Sequence, residues 1–319
     1  MGKQAYLFVH FREKDTPDGE QVYFALSRDG FQWEAVNEGK PVLWAYYGDR
    51  GVRDFTIVRC REREKFYIFA TDLSLAYGMR GKYHQSWDEI GRCGSKYFSV
   101  WESDNLADWT EQRLVKLGTE EMGCLWAPDV IYDEQEGDYL LHWSSSHKSD
   151  GYLRKRIYFS RTKDFENFTK PEVLYEKEDS SVIDSAIYYE QGTYYMFVKS
   201  EAAPARIMLL RSRQAAGRYE RIEAFDACMQ AQAEKKQIDD GVYEAPTAVQ
   251  LADGKWCLFL DYYGVPGAGQ GYVPFLADSL KSGEFWRADR EFYFPYGFKH
   301  GTILKISLEE YERIQKLAL

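Results

Sequence analysis

The chain has 319 residues and a formal net charge of −10, which argues against a nucleic-acid surface, since that needs clustered cations to displace counterions from phosphates. Hydrophobic residues make up 45% and aromatic residues 17%, enough for a large core and weighted toward β-strands, where aromatics are favoured. Five cysteines with no C-x-x-C pair argue against a zinc site or disulfide framework, and no 18-residue apolar run is present to cross a membrane.

The N-terminus, MGKQAYLFVHF, lacks a basic start followed by a signal-type apolar run, so a soluble, cytoplasmic protein is expected. Residues 5–11 (AYLFVHF) read as an aromatic-rich strand. Residues 22–33 (VYFALSRDGFQW) read as a strand ending in a turn and an aromatic. One plan then recurs four times: an acidic residue, a short apolar strand, a polar turn and an aromatic-rich strand. The copies are RDFTIVRCREREKFYIFAT, APDVIYDEQEGDYLLHWS, IDSAIYYEQGTYYMFVK and EAPTAVQLADGKWCLFLD, led by Asp54, Asp129, Asp184 and Glu244. Each is followed by a third strand ending in a turn and an aromatic, at 97–109, 157–168, 207–219 and 272–286. A fifth copy, KHGTILKIS, leads with His300 and has nothing after it but the tail SLEEYERIQKLAL, an amphipathic helix with Ser307 and Glu310 as a capping box.

The missing strands of the fifth copy stand at the other end of the chain, so 301–306 is expected to pair with 5–11. Five units of three or four strands, closed in this way, define an all-β, five-bladed β-propeller as a single domain over 1–319. Radial repetition leaves only short sheet edges, and closure ties down both termini. The longest insertions are 72–96 and the polar, helix-leaning 223–240.

In a propeller the first strand of each blade lines the axis, so Asp54, Asp129, Asp184, Glu244 and His300 are expected to converge on one funnel. Carboxylates crowded in a partly dry site repel, and some should hold protons above their usual range. That is the setting for acid and base work, and glycosidic hydrolysis needs little more than a protonated acid and a carboxylate opposite. Competing signatures are weak. GVPGAGQG (264–271) lacks the spacing and strand–helix context of a dinucleotide loop and reads as a flexible loop. HWSSSH (142–147) reads as a strand end, and no G-x-S-x-G elbow is present.

The ordered set RDFTI, WAPDV, VIDSAI, YEAPTAV and KHGTI resembles glycoside hydrolase family 43, a family of five-bladed propellers, over nearly the whole chain. The resemblance implies an inverting mechanism with three acids: Asp54 as general base, Asp184 as the residue that orients the acid and raises its pKa, and Glu244 as general acid. It places His300 at the axis, where many members hold water or a metal ion such as Ca2+; no cofactor is otherwise implied. The prolines usual after the base and after the orienting acid are Phe55 and Ser185 here. A related sucrose- and fructan-cleaving group is disfavoured, because its W-M-N-D-P-N-G motif is absent. Trp44, Tyr46, Tyr47 and Trp126 are candidate walls of a sugar pocket. Arg53 and Asp129 are candidate substrate contacts, although Asp129 equally suits a role holding axial strands together. The expected activity is that of an exo-acting α-L-arabinofuranosidase on plant-type oligosaccharides. A β-xylosidase, arabinanase or galactosidase, or an inactive sugar-binding propeller, are the alternatives. Oligomeric state is not legible.

Overall fold

The computed structural model describes residues 4–14, 16–236, 242–263, 271–295 and 297–317. Among the described residues, twenty strands form five four-stranded antiparallel sheets, the blades of a five-bladed propeller. The first complete blade holds β4 (Val52–Cys60), β5 (Lys65–Asp72), β6 (Tyr97–Ser103) and β7 (Arg113–Lys116). The second holds β8 (Trp126–Asp133), β9 (Asp138–Ser146), β10 (Lys155–Thr162) and β11 (Glu172–Tyr175). The third holds β12 (Val182–Glu190), β13 (Thr193–Ser200), β14 (Arg206–Ser212) and β15 (Glu220–Arg221). The fourth holds β16 (Val242–Gln250), β17 (Trp256–Tyr263), β18 (Gly271–Ala277) and β19 (Trp286–Arg287).

The fifth blade is built from both chain ends: β20 (Thr302–Ser307) pairs with β1 (Gln4–His10), followed by β2 (Tyr23–Ser27) and β3 (Glu34–Ala35). The inner strands β4, β8, β12, β16 and β20 touch in cyclic order, and β20 returns to β4, where Thr302 donates to the Phe55 carbonyl. Gly301 is required at this seam, because a Cβ there would run into the Val9 carbonyl. The tail helix, Leu308–Gln315, carries the expected capping box between Ser307 and Glu310.

Aromatic side chains fill the spaces between blades. Phe8 of β1 is fully buried, edge-on to Tyr272 of the fourth blade at 5.3 Å and to Trp33 at 5.9 Å. Truncating it to alanine should destabilise the protein by about 3–5 kcal/mol, through lost transfer energy and a cavity at the closing seam, which denaturant unfolding would measure.

The insertion 72–96 contains a helical turn at Leu75–Met79 and a short helix at Trp87–Cys93. The helix-leaning insertion forms a helix at Glu223–Lys236. The remainder of that insertion, and residues 264–270 of the glycine-rich segment read as a flexible loop, lie outside the described residues.

Candidate active site

Four of the five inner strands share a defect near their starts. The ladder with the neighbouring strand slips between Arg53 and Phe55, Trp126 and Asp129, Ile183 and Ala186, and Glu244 and Thr247. In each break one residue takes a left-handed backbone: Asp54 (φ 50), Ala127 (φ 50), Asp184 (φ 53) and Ala245 (φ 51). A non-glycine residue held there costs about 1–3 kcal/mol, yet it recurs in four blades. Bulges of this kind re-aim side chains, and here they let neighbours such as Arg53 and Asp54, or Ile183 and Asp184, face the same cavity. Phe55 and Ser185 occupy the positions that Pro128 and Pro246 hold in the other two blades, and the bulge forms with or without proline.

This alignment revises which residues are equivalent. Asp54 and Asp184 match Ala127 and Ala245, whereas Glu244 stands one residue earlier, level with Arg53, Trp126 and Ile183. Asp129 stands two residues later, level with Thr56. It lies outside the cavity lining and accepts hydrogen bonds from the Thr56 hydroxyl and the Val130 N–H, each at 2.8 Å. Its carboxyl, pushed up to about 6 by burial, braces two inner strands.

The cavity at the bulges measures about 340 Å³, the small end of the range for ligand sites. Asp54, Asp184, Glu244, His300, Arg53 and Trp126 all line it. Trp44 does not; it lies in a separate depression with Tyr46. Trp87, from the short helix of the 72–96 insertion, stands edge-on to Trp126 at 6.2 Å, and both line the cavity.

Cations alternate with the acids. His300 Nδ1 lies 3.2 Å from Asp54 Oδ1. Burial would raise the Asp54 carboxyl, but the hydrogen bond and charge of His300, with the Arg53 guanidinium, outweigh it and hold Asp54 below its ordinary range. Burial would lower His300; the Asp54 bond and the charges of Asp184, Asp54 and Glu244 instead push it up to about 9, so it is an imidazolium at neutral pH. Asp184 is pushed up to about 6, by burial and by the Glu244 carboxylate, against the pull of His300 and Lys199. The Ala245 N–H donates to Asp184 Oδ2 at 3.3 Å, which sets Asp184 beside Glu244. Arg53 is committed to Glu20 at 2.9 Å and Glu13 at 3.5 Å, and its guanidinium covers Phe11. One ionised carboxylate, one carboxyl with raised proton affinity and one partly exposed acid thus face a small, aromatic-walled space.

A family model described as a probable glycosyl hydrolase domain, related to family 43, matches residues 3–312. The chain belongs to this family of glycosyl hydrolases. An α-L-arabinofuranosidase of Bifidobacterium longum subsp. longum is 28% identical over 220 residues, 63% of this chain but 20% of that protein, so the chain spans about a fifth of that relative. A xylan β-1,4-xylosidase from Bacillus halodurans superposes with a TM-score of 0.60 at 14% identity, covering 86% of this chain and 51% of its own. An endo-1,4-β-xylanase from Bacteroides thetaiotaomicron gives 0.59 at 13% identity, covering 93% of each chain. At these identities the structural likenesses carry the fold alone.

Within this glycosyl hydrolase, the residue that sequence reasoning missed is Lys199 of β13. Its ammonium is buried and donates to Glu244 Oε2 at 3.0 Å and to the Tyr263 hydroxyl at 2.6 Å. Burial works against its charge, but Glu244 and Asp184 outweigh burial and raise its pKa. Its only sequence signal is a lysine closing the apolar run YYMFVK, where a solvated strand end is the ordinary reading. Lys299 has a similar place, ion-paired with the buried Asp261 at 2.5 Å. The Nδ1 of His300 is given to Asp54, and among the described residues no group of three or more His, Cys, Asp or Glu side chains is arranged to hold a metal ion. No helix among the described residues is long and apolar enough to cross a membrane.

Proposed function

We propose that the chain is an inverting, exo-acting glycosidase that removes α-L-arabinofuranose, or a similar pentose, from plant-type oligosaccharides. The observation that carries this reading is the delivery of three carboxyls from three blades, Asp54, Asp184 and Glu244, into one cavity of about 340 Å³. Its small volume, and the two tryptophans that line it, favour a single terminal sugar over a chain passing through. The similarity to the Bifidobacterium arabinofuranosidase supports the choice of sugar.

In this scheme Asp54, kept ionised and oriented by His300, takes a proton from a water on one face of the anomeric carbon. Glu244 gives its proton to the departing oxygen on the other face. Asp184 sits against Glu244 and favours the protonated form of the pair, because two neighbouring carboxylates resist ionising together. Inversion leaves room for the water when the Asp54 and Glu244 carboxyls stand about 6.5–9.5 Å apart. The scheme needs no cofactor.

The test is a panel of p-nitrophenyl α-L-arabinofuranoside, β-xyloside and galactoside, with proton NMR of the first product formed. Preferred cleavage of the arabinofuranoside, with the β-anomer appearing first, is the expected result. Release of the α-anomer would replace inversion by retention. Failure to cleave any of the three would leave a sugar-binding propeller as the better description.

A further inference from the structure

The aromatic residues Trp44 and Tyr46 lie away from the catalytic cavity, and the place they do occupy is a built surface. With Tyr77, Pro17, Gln21 and Arg50 they line a second depression of about 320 Å³. These three aromatics are exposed by 40% (Trp44), 70% (Tyr46) and 47% (Tyr77). Large aromatics left in water need a reason, and their gathering on one concavity marks an interaction site.

Buried polar side chains hold the backbone beneath them. Gln21 accepts from the Ala45 N–H at 2.7 Å and donates to the Pro17 and Arg50 carbonyls. Gln112 accepts from the Tyr46 and Tyr47 N–H groups at 2.6 and 2.8 Å. Ser74 accepts from the Tyr77 N–H at 3.1 Å. The rings are therefore presented on fixed backbone, which lowers the entropy lost on binding.

The depression is tied to the catalytic cavity through Glu20. Glu20 binds Arg53, which lines the catalytic cavity, through one carboxylate oxygen. Through the other it binds Ser74, Leu75 and Ala76, the segment that carries Tyr77. Arg50 lines one space and Arg53 the other, and three peptide units separate their Cα atoms by at most about 11 Å. That is within the reach of a few linked sugar rings.

Building on the glycosidase reading above, we infer that this depression holds the sugar units on the leaving-group side of an oligosaccharide whose terminal pentose occupies the catalytic cavity. Aromatic faces stack on the apolar faces of the rings, and Arg50 supplies a hydrogen-bond donor at the edge. The preferred substrate is then an oligosaccharide of at least three units rather than a disaccharide or simple glycoside.

The experiment compares Trp44→Ala and Tyr46→Ala with the unaltered protein on two substrates, p-nitrophenyl arabinofuranoside and a pentose trisaccharide such as arabinotriose. Each variant should lose about tenfold or more in kcat/KM on the trisaccharide, equivalent to about 1.4 kcal/mol, and remain within about twofold on the aryl glycoside, which also serves as the folding control. Equal losses on both substrates, or no loss on either, would overturn the inference. If the unaltered protein cleaves neither the aryl glycoside nor the trisaccharide, the hydrolase reading fails separately. Calorimetric titration with arabinotriose and xylotriose then decides the platform: binding lost in Trp44→Ala upholds it, and binding that is absent or unchanged overturns it.

Discussion

Asp54→Asn should lower kcat/KM by about 100- to 10,000-fold on every substrate, the range expected when a positioned general base is lost. Glu244→Gln should show the same loss on oligosaccharides but a much smaller one on p-nitrophenyl glycosides. The distinction follows from the leaving groups. A sugar alkoxide departs only with a proton, whereas nitrophenolate is a stable anion and needs little help. Water must be activated in both cases, so loss of the base carries no such relief. Both substitutions are nearly isosteric, and each amide keeps an oxygen that can accept from His300 or Lys199. Equal losses for Glu244→Gln on both substrate classes would remove the acid role from Glu244. A rate unaffected by Asp54→Asn would remove the base role from Asp54.

The fold was readable because its signals are local. Each hairpin shows alternation, a polar turn and an aromatic return strand within about 20 residues, and the orphan strands at the two ends specify the closure. The convergence of Asp54, Asp184 and Glu244 was readable for the same reason, since all three stand at the starts of inner strands. Asp129 was placed in their ring because WAPD looks like the other leads. Register in β8, however, is set by its pairing with β9, which puts the break at Ala127 and Pro128 and leaves the acid two residues deeper. In WAPD the acid follows the proline, whereas in EAP it precedes it; aligning the prolines would have exposed the offset. Trp44, expected at the catalytic pocket, lines a separate depression for a different reason. It belongs to a connecting segment whose position depends on Gln21 and Gln112, residues distant in sequence. The expectation of carboxylates crowded together was incomplete, because the cations that separate them come from β13 and from the turn before β20, where nothing local marks a lysine as buried.

Lys199 gives the second large expected effect, and its sign follows from the charges around it. Its ammonium faces Glu244 of β16, Tyr263 of β17 and Asp184 of β12, with the imidazolium of His300 nearby. A catalytic cycle of the proposed kind begins with one proton shared by Asp184 and Glu244, and activity falls on the alkaline side as that proton is lost. Asp184 is already raised to about 6 while Lys199 pulls downward on it. Removing that positive charge must therefore move the alkaline limb of kcat/KM upward, by about one to three pH units for a neighbouring charge at this range. Lys199→Met should show this shift together with a lower maximal rate, because Glu244 also loses the bond that orients it. Lys199→Arg keeps the charge and should leave the limb near its original position even where the rate falls. A purely structural lysine would lower activity at all pH values and leave the limb in place in both variants. Comparison of the two pH profiles therefore separates electrostatic control of the proton from simple packing, and an unmoved limb in Lys199→Met would mean that the proton lost on the alkaline side is not held by Asp184 and Glu244.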